Sequence, residues 1–178
     1  MKLRHLFFAC SGVFVMMFSL LLLVVIVFSD EEDGGSGGNL IYGGVSVSQE
    51  VLAHKPMLEK YAREYGIEEY LNVLLAIIQV ESGGTLEDVM QSSESLGLPP
   101  NSLSTEESIK QGCKYFSELL AAAEAKGCDL NSVIQSYNYG GGFLDYVAGR
   151  GKKYTFELAE SFARDKSGGK KVTYTNPV

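Results

Sequence analysis

From Glu69 to Val80 the chain is apolar on nearly every side of a helix. Leu71, Val73, Leu74, Leu75, Ala76, Ile77 and Ile78 leave no broad polar face. A helix of this kind has to be central, enclosed by other elements. The run ends in Glu81-Ser82-Gly83-Gly84, so a carboxylate sits at the point where a buried helix meets a glycine turn. A carboxyl group placed there is drawn toward a raised pKa and toward general-acid chemistry near neutral pH. Glu81 is the candidate catalytic residue. The structural alternative is a solvated glutamate beside glycines that serve only to end the helix.

Other amphipathic segments surround that run. From Ser48, the spacing of Val51, Leu52, Met57, Leu58, Tyr61 and Tyr65 predicts a helix with Ser48 as N-cap, Gly66 as its stop and Pro56 as a dividing point. Ser95 to Ser104, with Gly97, Pro99 and Pro100, reads as loop. Ser104-Thr105-Glu106-Glu107 has capping-box character at the head of a third helix running to about Lys126, striped by Ile109, Cys113, Phe116, Leu119, Leu120 and Ala123. Asp129 or Asn131 caps a fourth through Tyr137, and Thr155 to Ala163 forms a fifth. The domain is expected to be mainly α.

The first thirty residues are different in kind. Leu6 to Phe28 is uncharged and long enough as a helix to cross a hydrocarbon core of about 30 Å. Lys2 and Arg4 precede it and Asp30-Glu31-Glu32-Asp33 follow, which places the N-terminus in the cytoplasm and the remainder outside. The segment reads as a retained single-pass anchor, because it exceeds the h-region of about 7–15 residues usual in a cleaved signal. A secreted form cleaved near Val27-Phe28-Ser29 is the alternative. Gly34-Gly35-Ser36-Gly37-Gly38 then gives a flexible tether. The expected organisation is an anchor over 1–29, an acidic Gly/Ser-rich linker over 30–47, a helical catalytic domain over 48–166, and a tail or interdomain linker over 167–178.

Composition removes several classes. A formal net charge of −7 argues against a nucleic-acid partner, which calls for a Lys/Arg excess. Three cysteines and two histidines without CxxC or HExxH spacing offer no metal site, and no cofactor is expected. Export would permit a disulfide between Cys113 and Cys128. On one unbroken helix, however, they would stand roughly 20 Å apart at 1.5 Å per residue, against a usual Cα separation below about 7 Å. Free, mostly buried thiols are expected.

Two further segments share the character of the Glu81 turn. Met90-Gln91-Ser92-Ser93-Glu94-Ser95 and Tyr137-Asn138-Tyr139-Gly140-Gly141-Gly142 set hydrogen-bonding side chains beside small residues, a mixture suited to sugar hydroxyls and acetamido groups. The ordered set QVESGG, DVMQSSES and SYNYGGGF resembles the goose-type lysozyme and lytic transglycosylase superfamily. It is most similar to the muramidase domain of CwlT-type cell-wall hydrolases of conjugative elements. The likeness covers about Ser48 to about Lys166. Where transglycosylase relatives carry a Gly-Leu-Met-Gln type motif, this chain has Asp88-Val89-Met90-Gln91 followed by Ser-Ser-Glu-Ser. That departure points to the CwlT-type branch.

The resemblance implies a lysozyme-like fold, goose-type or soluble lytic transglycosylase-like. It also implies N-acetylmuramidase activity on peptidoglycan glycan strands, and local wall opening for a conjugative secretion apparatus. Glu81 would protonate the glycosidic oxygen and afterwards act as base toward water, or toward the C6 hydroxyl of muramic acid to give a 1,6-anhydro product. Both outcomes stay open, as does a non-catalytic glycan-binding module. Glu94 is the candidate second carboxylate, its alternative being a hydrogen bond that holds the Gln91 to Ser95 loop, while Glu87 and Asp88 read as exposed loop acids. Gln91 would contact substrate or position Glu81. Ser92, Ser93 and Ser95 would contribute contacts to N-acetyl groups, or merely ordinary loop polarity. Tyr137 and Asn138 resemble the family's Tyr-Asn pair. Tyr139 and Gly140 complete the candidate binding set, with core packing the alternative for Tyr139 and Phe143, and a turn between helices the alternative for Gly140 to Gly142. In the CwlT-type family a linker after this domain leads to an NlpC-type cysteine peptidase domain, so a truncated form is the expectation.

Overall fold

The computed structural model describes residues 40–42 and 45–168. The expected membrane segment, residues 6–28, lies outside them, and among the described residues no helix is long and apolar enough to cross a membrane. Most of the expected tail over 167–178 also lies outside.

The domain begins with a short antiparallel pair, β1 (Leu40–Tyr42) and β2 (Val45–Val47), in register Leu40 to Val47 and Tyr42 to Val45. The far end of the expected linker is therefore corrected. Val47 is fully buried, so the packed unit starts before Ser48. Ser48 then caps α1 (Gln49–Ala53), its hydroxyl accepting from the Val51 N–H. Pro56 divides the first helical stretch as expected: α2 (Lys55–Glu64) starts afresh with the proline in its first turn, where the missing N–H costs nothing.

A 3-10 turn, Glu68–Tyr70, leads into α3 (Leu71–Glu81), the apolar helix. Leu74, Leu75, Ile77 and Ile78 are at most 1% exposed. Removing each from water contributes roughly 1.5–3 kcal/mol. Around α3 lie α1, α2 and β2. The long α4 (Thr105–Lys126) packs against α2, and Phe116 on it meets the Tyr70 ring edge-on at 5.7 Å between centroids. Glu107 accepts from both the backbone and the hydroxyl of Ser104, and Gly127 ends the helix at φ 70.

Asp129 caps α5 (Leu130–Tyr139), which runs alongside α4. A helix not anticipated, α6 (Gly142–Ala148), follows Gly141. Finally α7 (Phe156–Lys166) is capped by Thr155 and packs on α6. Phe143, Val147, Ala159 and Phe162 form a second, smaller core there. Cys113 is buried within α4 and Cys128 half-buried beyond its end, both as free thiols.

Candidate active site

Glu81 is the last residue of α3 and is half-buried. Its carboxyl is pushed up to about 7, first by burial, then by the negative charges of Glu94 and Asp88. All three influences act in one direction, and together they leave the group about half protonated at pH 7.

The turn beneath Glu81 is built by short hydrogen bonds. Ser82 Oγ donates to the Val89 carbonyl at 2.7 Å and accepts from Gly84 N at 3.0 Å, which ties the turn to the segment that follows. Gly83 and Gly84 both take left-handed φ, 60 and 78. At Gly84 a Cβ would come within 2.7 Å of the backbone of Glu50 and Val51, so glycine lets the start of α1 press directly on the turn. Ser48 N donates to Gln79 Oε1 at 2.7 Å, and a His54 ring nitrogen lies 2.9 Å from the Gly84 carbonyl. The end of α3 is clamped from one side by α1 and from the other by residues 88–90.

Asp88 is not the exposed loop acid that the sequence suggested. It is fully buried, with its carboxylate accepting from Ser92 N at 2.9 Å, Ser93 N at 3.2 Å and Ser108 Oγ at 2.6 Å. Nothing in the local sequence marks it, because the donor that completes its shell lies twenty residues on, in the first turn of α4. Gln91 stands at φ 46, and its side-chain amide donates to the Asp88 carbonyl and to Asn101 Oδ1. Ser92 and Ser93 are buried rather than open to a ligand. Ser92 Oγ donates to the Ser108 carbonyl at 2.9 Å. Ser95 is exposed; its hydroxyl donates to the Ser92 carbonyl and accepts from Gln111 Nε2. These serines build the 3-10 turn Ser92–Leu96, which packs on α4.

Glu94 projects from that turn and is exposed. Its carboxyl is also raised, by burial and then by Asp88. Tyr137 is buried, and its hydroxyl donates to the Met90 carbonyl at 3.1 Å. Burial foremost, and the Glu81 charge next, hold the phenol well above its ordinary pKa. Gly112 makes room for this contact: a Cβ there would lie 2.5 Å from Met90 Sδ and 2.9 Å from the Tyr137 hydroxyl. An isolated glycine inside the periodic α4 pattern was the one available signal for it. Removing the Tyr137 hydroxyl in Tyr137→Phe leaves a buried carbonyl unpaired, with an expected cost of about 1–3 kcal/mol in urea unfolding. An unchanged midpoint would deny the contact any structural weight.

Asn138 is half-buried. Tyr139 belongs to the smaller core, stacked on Phe162 at 5.7 Å and edge-on to Phe143 at 5.5 Å. Gly140 has φ 81 and ψ 158, a region open only to glycine, which turns the chain from α5 toward α6.

The fold thus brings Glu81, Glu94, Asp88 and Tyr137 within electrostatic reach of one another, while Ser92, Ser93 and Tyr139 are taken up in packing. The architecture, a mainly helical domain around one central apolar helix, is that of the lysozyme-like class. The chain belongs to that family: the Lysozyme-like family model matches residues 48–178.

It is 44% identical over 124 residues, 69% of its length, to the bifunctional muramidase/DL-endopeptidase CwlT of Bacillus subtilis (strain 168). It is 38% identical over 121 residues, 67% of its length, to an uncharacterized membrane protein, YocA, of the same strain. Among solved structures, a protein similar to lipoprotein, NLP/P60 family, from Staphylococcus aureus subsp. aureus Mu50 is 74% identical and superposes with a TM-score of 0.73 over 75% of this chain. The chain spans 37% of CwlT, 54% of YocA and 45% of the crystallised protein. The domain is CwlT-type and lysozyme-like.

Proposed function

We propose that this chain is a peptidoglycan glycosidase, an N-acetylmuramidase that cleaves the β-1,4 bond between N-acetylmuramic acid and N-acetylglucosamine with Glu81 as general acid. The observation that carries this reading is the Glu81 carboxyl, raised to about 7 at the end of a buried helix with Glu94 beside it. Pairs of carboxyls in environments of unequal polarity divide acid and base roles between them. Glu81 is the more enclosed of the two, so the proton resides there and Glu94 carries the negative charge.

In the reaction, Glu81 gives its proton to the bridging oxygen as the bond to the anomeric carbon of muramic acid breaks, and N-acetylglucosamine leaves with a free C4 hydroxyl. Glu94 faces the positive charge that develops on the ring. Water then adds to the anomeric carbon, and its surplus proton returns to a carboxylate. Gln91, Asn138 and the exposed edge of the Ser92–Leu96 turn are the groups left to contact the glycan. The same reading holds the domain outside the membrane on residues 1–29 and the linker, opening the wall locally for a conjugative secretion apparatus.

Mass spectrometry of muropeptides released from purified peptidoglycan by the full chain, with Glu81→Gln beside it, tests this. Reducing N-acetylmuramic acid ends from the wild type alone are expected. 1,6-Anhydro ends would make the enzyme a lytic transglycosylase. Binding to glycan without any product from the wild type would replace catalysis with a recognition module.

A further inference from the structure

We propose that Asp88 is a positioning residue for this site: its buried carboxylate fixes the turn that carries Glu94 onto the first turn of α4. The inference rests on the glycosidase reading above for its consequence in catalysis, and on geometry for the rest.

Asp88 holds its neighbours through both its side chain and its backbone. The carboxylate accepts from the first two amides of the 3-10 turn, Ser92 N and Ser93 N, and from Ser108 Oγ. Its carbonyl accepts from Gln91 N at 3.0 Å and from Gln91 Nε2 at 2.9 Å. Between those two sets of bonds lies Gln91 itself, held at φ 46 and ψ 38, a left-handed conformation that residues with a side chain seldom adopt. A residue keeps such a conformation only when its surroundings over-determine it, and here one aspartate does so from both sides.

Ser108 extends the anchor into α4. It donates to Asp88 while accepting from Met90 N at 3.0 Å, so one hydroxyl joins the long helix, the Met90 backbone that meets Tyr137, and the Asp88 carboxylate. The turn closes beyond Glu94 as well, through Leu98 N to the Ser93 carbonyl at 3.1 Å. Both carboxylate oxygens face donors, and an amide in their place would set an NH2 group against a backbone N–H. The acid is required rather than its isostere.

The Asp88 carboxylate also acts on the site through its charge. Glu81 from α3, Glu94 from the turn and the Tyr137 phenol from α5 all feel it, and α4 meets it with the neutral Ser108. With that negative charge absent, Glu81 ionises at lower pH.

The test compares Asp88→Asn and Ser108→Ala in the full chain. Amide hydrogen exchange at Ser92 and Ser93 is expected to accelerate at least about tenfold in Asp88→Asn, where one carboxylate acceptor is lost, and less in Ser108→Ala. The Glu81 side-chain carboxyl, followed by carbon NMR, titrates at lower pH in Asp88→Asn and at its wild-type pH in Ser108→Ala, which keeps the charge. A residue that merely stabilised the fold would not separate the two variants in this way. On peptidoglycan, turnover in Asp88→Asn falls on the order of 100-fold through displacement of Glu94. Wild-type exchange at both amides with an unmoved Glu81 titration overturns the proposal, whatever the activity. Faster exchange and a shifted titration in a protein whose wild type never cuts glycan uphold the positioning and overturn the glycosidase reading. If Asp88→Asn does not fold, wild-type exchange at Ser92 in Ser108→Ala overturns it alone.

Discussion

Glu81→Gln is expected to abolish glycan cleavage, with a loss on the order of 10²–10⁴-fold in turnover, while leaving the fold more stable than wild type at neutral and alkaline pH. The first half follows from removing a general acid whose share of the rate is typically of that size. The second follows from linkage. The Glu81 carboxyl is raised from 4.5 to about 7 by folding, so the native state binds its proton more tightly than the unfolded chain does. Stability from this group is fully present below pH 4.5, declines as pH rises between 4.5 and about 7, and is absent above that. Glutamine stays neutral and escapes the decline. Denaturant unfolding at several pH values checks this: the variant gains on wild type as pH climbs through that window. A variant of equal stability at all pH values would mean that Glu81 is not buried enough to matter. The activity limb has the same origin, since kcat/KM is expected to fall as pH rises through about 7 and the acid loses its proton.

Gly84→Ala is the second large effect expected, this time on the fold. At φ 78 an alanine costs about 1–2 kcal/mol for its left-handed backbone, and its Cβ would lie 2.7 Å from the Glu50 carbonyl carbon and the Val51 nitrogen. Those are backbone atoms at the head of α1 and cannot swing aside like a flexible side chain. Adding about 1–3 kcal/mol for forced displacement gives a total of roughly 2–5 kcal/mol. Gly97→Ala is the control: φ is 71 there, yet a Cβ meets nothing within 4 Å, so only the backbone cost remains. If the two variants unfold at the same denaturant concentration, the close approach of α1 to the Glu81 turn carries no energy. If Gly84→Ala is the weaker by the expected margin, α1 is the clamp that fixes the end of α3.

The helices were legible where periodicity and caps agree. The α3 run reads as a central helix because hardly any polar residue interrupts it, and α4 reads from its capping box to Gly127 because stripe, cap and stop coincide. Ser48 caps where the sequence suggested, Asp129 rather than Asn131 caps α5, and Thr155, read as the first residue of the last helix, is its N-cap. α6 escaped because its head is Gly140-Gly141-Gly142, residues of low helix propensity that read as a turn. Packing of Phe143 and Val147 against Phe162 overrides that preference. The strand pair escaped because three-residue strands carry too little alternation to register.

At the site, the same division holds. Glu81 could be singled out from the junction of an apolar run with a glycine turn, since both features are local. Asp88, Ser108 and Gly112 could not, because their roles depend on contacts between α4 and the 88–96 segment. Burial of Ser92 and Ser93 was likewise hidden: a Ser-Ser pair in a polar stretch reads as ligand-facing until the Asp88 carboxylate turns its amides inward.

Glu81 is expected to keep a proton about half the time at pH 7, and carbon NMR of its side-chain carboxyl across a pH titration tests this most directly. A midpoint at about 7 is the expected result, with Glu94 as the larger of its two acidic influences. A midpoint at the ordinary carboxylate value of 4.5 would leave the group ionised at neutral pH and contradict its role as the acid of a glycosidase.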